Sequence, residues 1–485
     1  MTTTRAAAAM AVAAVLTLTA CSNATSPLDD LATPEFTEVT VHDPSAVTGN
    51  DELWVFGSHA AVAKTTDLMN WTQVSDSVNT ADQAGLFEDI RAELAETFEW
   101  AQTDTLWAAD VIELPDGRFA MYYNACKGDS ARSAMGIAIA DSVDGPYEDQ
   151  GIILKSGMWD EESENEGEIY DATIHPNAVD PDAFYDANGD LWMVYGSYSG
   201  GIFVLELDEQ TGAPDPGQGY GTRVMGGNHS RIEGPSMRYD ETTGYYYLFV
   251  SYGGLDSSNG YEVRVSRSTD PAGPFLDAEG NDMALAQGPV GSFFDDTAIE
   301  PYGVKILGGH EWADSSGTGI DAGYVSPGHN TWWDDPDTGE SYLIFHSRFH
   351  GTEEMHFVRA HRMYMNVDGW PVLAPARYAG EGEQTPSTAD AVGTWQVVEF
   401  QKVISPLVPL SVEATFAEDG TVSGAIEGTW ELSADGALTL TTDAGTFDGV
   451  MVPAWDPNAA AWTWGLSVVS DQGLPLWGHR TGSEG

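Results

Sequence analysis

Five segments of this chain set an ionisable or metal-capable side chain at the head of a strand-like run. They are Asp43 in VHDPSAV, Asp110 in WAADVIEL, Asp180 in AVDPDAF, Glu233 in RIEGP and His329 in SPGHN. An Asp-Pro step begins turns in any fold, so each segment alone says little. Together they would do more. Two carboxyl groups flanking a glycosidic bond can cleave it, one protonating the leaving oxygen while the other activates water or attacks directly. A third can tune the acid, because like charges in a partly desolvated site raise a carboxyl pKa. Asp43, Asp180 and Glu233 supply that number.

Something must bring residues so far apart in sequence to one place, and a repeat does so. Five runs share an aromatic-aliphatic pattern closing on a small polar residue: LWVFGS at Ser58, FAMYYN at Asn124, LWMVYGS at Ser197, YYLFVS at Ser251 and YLIFHS at Ser347. Each follows a glycine in turn company (Gly49, Gly117, Gly189, Gly244, Gly339), the signal of a hairpin whose turn needs positive φ. The spacing is too uneven for a strict solenoid and suits a propeller, whose blades tolerate loops of different length. Helix signals are scarce, while 16 Trp, 19 Tyr and 53 Gly go with short alternating runs, so an all-β chain is expected. In a five-bladed propeller the innermost strands line one channel. The five marked positions, all in phase with the repeat, would then converge at one face.

Small and polar residues lie in the adjoining loops: Gly196, Ser197 and Ser199 in GSYSGG, Asn177 in HPN, and His229 in NHSR. With His42 and Asp110 they are candidate substrate contacts, although each is also an ordinary turn or strand-end residue.

The remaining composition narrows the partners. A formal charge of -57, from 76 acidic and 19 basic residues, would repel phosphates and excludes nucleic acid and anionic membrane faces. It reads as a solvated, salt-adapted surface and selects no substrate. Residues 1–21 carry Arg5, a short apolar run and Leu18-Thr19-Ala20-Cys21. This is a signal peptide by pattern, and its end resembles the lipobox of bacterial lipoproteins, in which the Cys is acylated; the plainer alternative is a secretory peptide with an incidental Cys. Residues 22–35 then read as a tether. The other cysteine, Cys126, is expected as a half-buried free thiol without a nucleophilic role. No zinc-like spacing, phosphate loop or further apolar span is present.

VHDPSAV, WAADVIEL, NAVDPDAF with WMVYGSYSGGI, RIEGPSMRYD, RSTDPAGPF and YVSPGHN, in this order, resemble the arabinanases of glycoside hydrolase family 43, especially the longer endo-1,5-α-L-arabinanases with a C-terminal β domain. The resemblance covers residues 36–380 and implies a five-bladed propeller and an inverting mechanism. By position it makes Asp43 the general base on water, Glu233 the general acid, and Asp180 the residue that raises and orients that acid. It makes His329 the holder of a metal, usually calcium; a hydrogen-bonded channel histidine is the alternative. Inversion needs room for water, so the carboxyls of Asp43 and Glu233 are expected ~6.5–9.5 Å apart. One departure is visible: the family's Trp-Ala-Pro-Asp is Trp107-Ala108-Ala109-Asp110 here, which removes a fixed φ before Asp110.

After a linker at 381–392, residues 393–485 restart as short strands with Asp-Gly turns, a small β-barrel similar to the accessory domain of the extended arabinanases. It carries no coherent acid set, and its tryptophans are expected mainly in its core. The expectation is therefore a secreted, lipid-anchored, monomeric arabinan hydrolase. Alternatives are an exo-acting arabinofuranosidase or β-xylosidase of the same clan, or a sugar-binding propeller without catalysis.

Overall fold

The computed structural model describes residues 27–482, so the signal segment and Cys21 lie outside the described residues. Five antiparallel meanders, four of four strands and one of five, precede a closed eight-stranded barrel. The innermost strands are Ser45–Gly49, Trp107–Glu113, Asp182–Tyr185, Ile232–Asp240 and Gly319–Asp334. Each packs beside the next, and the last beside the first, which closes a five-bladed propeller.

Polar side chains pin these inner strands to one another. Asp110 accepts from the Ser45 hydroxyl on one neighbour and from the Ala183 N–H on the other, at 2.8 Å for the latter. Asp182 repeats the device with the Met237 N–H at 2.8 Å, and Trp333 Nε1 donates to Thr48 Oγ1 at 2.9 Å. The first and last blades also share an apolar cluster in which Val39, Val41 and Val55 meet Ile344, Val358 and Ala360. Glu38 adds pairs to Arg359 and Arg377 at 2.5 and 2.6 Å.

Four of the five turn glycines have the positive φ expected of them: Gly117, Gly189, Gly244 and Gly339. Gly49 does not. It ends the first inner strand against Val143, and the turn is made by Asn50 and Asp51 at φ 54° and 61°. Asparagine and aspartate are the side chains that best tolerate this region after glycine.

Helix is less scarce than composition suggests, because three short helices (Val78–Ala84, Ile90–Glu93, Ala95–Ala101) fill the connection between the first two blades. Ile90, Leu94, Phe98 and Ala101, spaced by three or four, bury one face there. Cys126 is a free thiol, fully rather than half buried, and burial raises its pKa, which suits the inert role.

The barrel runs from Gly393–Glu399 to Pro475–Gly482, whose pairing with the first strand closes it. Trp395, Trp430 and Trp464 fill its core. Trp477 and Phe400 instead face the propeller, where they join Val304, Ile306 and Trp370. Beside them a buried ion network holds the seam: Lys305 meets Glu262 at 2.5 Å and donates to the Gln401 carbonyl at 2.8 Å, while Arg264 meets the same Glu262 at 2.7 Å.

The expected tether is not free over its described part. Pro27–Asp30 forms a turn whose Leu28, 6 % exposed, joins the barrel core, and Trp462 Nε1 donates to the Ala32 carbonyl at 2.8 Å. Leu31 packs against the same core. The chain then crosses back to the propeller at residue 36.

Candidate active site

The marked positions owe their aim to the backbone. Asp43, Asp180 and His329 adopt left-handed φ of 58°, 55° and 44°, and Gly234 does so at 55° directly after Glu233. Such conformations carry a conformational cost and cluster where a side chain must be turned out of the regular ladder. The inner strands also slip register between Glu233 and Ser236 and between Gly328 and Asn330. A bulge re-aims the residue it carries. Gly234 is required twice over, since a Cβ there would meet the His329 ring at 3.0 Å.

Asp43, Asp180, Glu233 and His329 consequently line one cavity of about 310 Å³, with His42, Trp107 and His356 on its walls. All four are nearly buried, with Asp43 and Glu233 each 8 % exposed. Chemistry rather than size distinguishes the site. A wider groove of about 800 Å³ at the far ends of the third to fifth inner strands also carries acids, and some of these are held in pairs, Arg238–Asp334 and Arg362–Glu340.

Asp43 sits in a dense set of donors. Its Oδ2 accepts from Ser58 Oγ at 2.5 Å and from His42 Nδ1 at 2.7 Å, and its Oδ1 faces His329 Nδ1 at 3.1 Å. Its N–H donates to His346 Nδ1 at 3.2 Å, and the His346 ring stacks on His42 with centroids 4.0 Å apart. Burial alone would push the Asp43 carboxyl up, but His42 and His329 outweigh it and hold it well below the usual carboxylate range. Burial pulls His329 down, yet Asp43 foremost among the three acids lifts it to about 9.

The other two acids move the opposite way. Burial raises Glu233, with the Asp43 charge adding, against the Ser197 hydroxyl that donates to Oε2 at 2.8 Å and the opposing charge of His329. Burial likewise pushes Asp180 to about 7, helped by Glu233 and Asp43 and opposed by His329. Asp180 Oδ2 accepts the Gly234 N–H at 3.2 Å, so it fixes the peptide that follows Glu233. One cavity thus sets two carboxyls in environments that shift them in opposite directions, the asymmetry that acid–base cleavage of an acetal needs.

The remaining predicted contacts separate. His42 is on the cavity wall, and Ser197 holds Glu233. Gly196, at φ 122°, and Ser199, whose carbonyl accepts the His229 N–H at 2.8 Å, shape the loop beside the acid. Asp110 and Asn177 do not reach the cavity. Both oxygens of Asp110 are used between inner strands, and Asn177 Oδ1 is taken by Ser133 and Ser156 at 2.6 and 3.2 Å.

Sequence reasoning missed Ser58, His346, His356 and Tyr261, the last of which stacks on His346 and neighbours Glu233. A signal for part of this set existed. In three of the five repeats the small polar residue that closes the run binds a site residue: Ser58 to Asp43, Ser197 to Glu233, and Ser251 to the His329 N–H at 2.8 Å.

A hard cation at His329 would need the ring to give up the proton that Asp43 favours, and the ion's charge would then replace that proton's beside the carboxyls. A metal-bound histidine has its other nitrogen oriented by a carboxylate, and Nδ1 of His329 faces Asp43. Calcium takes mostly oxygen ligands, including water, and the cavity has space for water. His42, Asp43 and His346 form a tighter cluster nearby, but Nδ1 of His346 is committed to the Asp43 N–H.

A propeller that gathers three carboxyls in its axial cavity has the groups that hydrolysis of a glycosidic bond uses, and comparison with known proteins makes it a glycoside hydrolase. Residues 36–296 match glycosyl hydrolases family 43, and residues 375–478 match a C-terminal lipocalin-like domain. The chain belongs to glycosyl hydrolase family 43. It is 50% identical, over 92% of its length and 94% of the relative's, to the extracellular endo-alpha-(1->5)-L-arabinanase 2 of Bacillus subtilis. It is 42% identical to the extracellular endo-alpha-(1->5)-L-arabinanase of Thermotoga petrophila, over 92% and 95% of the two chains. Among solved structures, the family 43 YxiA protein from Bacillus licheniformis superposes with a TM-score of 0.89 at 50% identity, covering 93% of this chain and all of that one.

Proposed function

We propose that the protein is an extracellular endo-acting hydrolase of α-1,5-linked arabinan that inverts the anomeric centre. The observation that carries this reading is the meeting of Asp43, Asp180 and Glu233 in one cavity, where imidazoles pull the Asp43 carboxyl down and burial pushes the Glu233 carboxyl up. Its agreement with two arabinanase relatives over nine-tenths of the chain names the sugar.

In this reading Asp43 takes a proton from water as the water attacks the anomeric carbon. The donors on Asp43 fix its orientation while leaving it ionised. Glu233 gives its proton to the departing O5, and Ser197 aims it. Asp180 orients Glu233 through the Gly234 N–H, while burial and then the Asp43 charge push the Glu233 carboxyl up. Trp107 offers an apolar wall to a furanose ring.

His329 would hold a calcium ion, with water completing its shell. Bound there, the ion would supply fixed positive charge beside the three carboxyls. Cys21 would carry a lipid that keeps the secreted enzyme at the cell surface, and the molecule would act as a monomer.

Digestion of linear arabinan, with and without a chelator, tests the reading. A ladder of oligosaccharides whose new ends appear first as the β anomer by NMR is the expected result. Arabinose alone would make the enzyme exo-acting, and no product at all would leave a binding propeller.

A further inference from the structure

Large apolar side chains are exposed beside the acid, in a molecule whose surface is otherwise strongly acidic. Phe293 is 67% and Phe294 42% exposed, and their rings are tilted 33° to each other with centroids 4.1 Å apart. Phe294 packs on Tyr198 at 5.4 Å and Phe293 on His229 at 5.0 Å. Tyr198 follows Ser197, the residue that binds Glu233, and itself lies close to the Glu233 carboxyl. The pair is therefore one ring away from the catalytic acid.

The loop that carries them is built to stay put. Asn228 Nδ2 donates to Gln287 Oε1 and to the Gly288 carbonyl at 3.1 and 3.0 Å, which fastens one end. Arg231 Nε donates to Asp296 Oδ1 at 2.9 Å and fastens the other. Phe294 is held at φ 58°, and Tyr198, Asn228 and His229 around it also have positive φ. A strained backbone that presents two aromatic rings to water is unfavourable on both counts, and such features persist where they serve a ligand.

Direction follows from the chemistry. In an inverting displacement the water and the leaving group lie on opposite faces of the anomeric carbon, so the acid stands on the leaving-group side. Tyr198, whose N–H donates to the Ile232 carbonyl at 2.9 Å just before Glu233, links the aromatic pair to the acid's side of the cavity and so to the departing half of the chain. The Asp43 side is instead walled by His42, His59 and His356. We propose that Phe293 and Phe294, backed by Tyr198 and His229, are a rigid platform on which the leaving-group half of the saccharide chain stacks its furanose rings. This inference rests on the hydrolase reading above and adds the side on which the enzyme grips a long chain.

The test uses the full-length protein with Phe293→Ala, Phe294→Ala and the double substitution, alongside Phe293→Trp as a ring-preserving variant. The substrate is arabino-oligosaccharide labelled at its reducing end. Loss of both rings should raise KM for the chain roughly tenfold while kcat changes by about twofold or less, the signature of lost uniform binding. The labelled products should shorten, because fewer leaving-group units are held, and Phe293→Trp should keep both readouts at the wild-type values. Unchanged KM and bond choice in a double variant with a native melting curve would overturn the platform. So would a shift toward shorter unlabelled products, which would put the grip on the other half. If the wild-type protein releases nothing from arabinan, the hydrolase reading itself fails; the platform is then overturned with it, as it has no leaving group to hold.

Discussion

At the level of single residues, the site works by opposed environments on like groups. Asp43 has two imidazoles and a hydroxyl on its oxygens, whereas Glu233 has one hydroxyl and burial. Replacing the acid by Glu233→Gln should lower kcat on arabinan by roughly 10²–10⁴-fold. The loss should be far smaller on an aryl arabinofuranoside whose leaving group needs no proton; equal losses on both substrates would remove Glu233 from the acid role. The pH profile follows from the signs. Asp43 must be ionised, and its lowered pKa keeps activity until the medium is strongly acidic. Glu233 must be protonated, so activity is present below its raised pKa and lost as pH rises through it. The Ser197 hydrogen bond lowers that pKa, and Ser197→Ala should therefore shift the alkaline limb of kcat to higher pH. A limb that stays or moves down would show that Ser197 does not tune the acid.

Strands and loops turn these residues into a site, and here the sequence was only partly legible. The five strand motifs and the acids in phase with them were readable, because a blade repeats its pattern of apolar side chains whatever its loops do. The left-handed turns at Asp43, Asp180 and His329 were not, since nothing in an Asp-Pro step distinguishes a strand entry bent toward the axis from a surface turn. His346 and His356 were missed because each is one polar residue inside an ordinary strand pattern, and only closure of the ring carries the last blade to Asp43. Asp110 shows the reverse error: it keeps phase with the repeat, yet it serves to tie three inner strands together. The linker after the propeller likewise reads as Gly- and Pro-rich chain, while the strand edge beyond it is tied down by buried cations. Lys305→Met would leave Glu262 with Arg264 alone and free the Gln401 carbonyl. A loss of about 3 kcal/mol and a clear drop in Tm are expected; an unchanged Tm would show that the network contributes nothing net.

Over the whole molecule, the charge of -57 and the ring of blades set separate properties. Charge governs solubility and association, and the fold would be the same with a milder balance. The barrel adds no acid to the cavity lining and packs through Trp477 and Phe400 on the last two blades. The docking of Leu28 and Ala32 on that barrel has a topological consequence. The polypeptide crosses the seam between the two bodies twice, once before residue 36 and once through 381–392, so they are linked like two beads on a string knotted at both sides. Cutting one strand of that string should not release either bead. A protease site engineered into the 381–392 segment and cleaved should give two fragments on a denaturing gel that still travel as one particle in gel filtration. Separation of the fragments would mean that the first crossing bears no load.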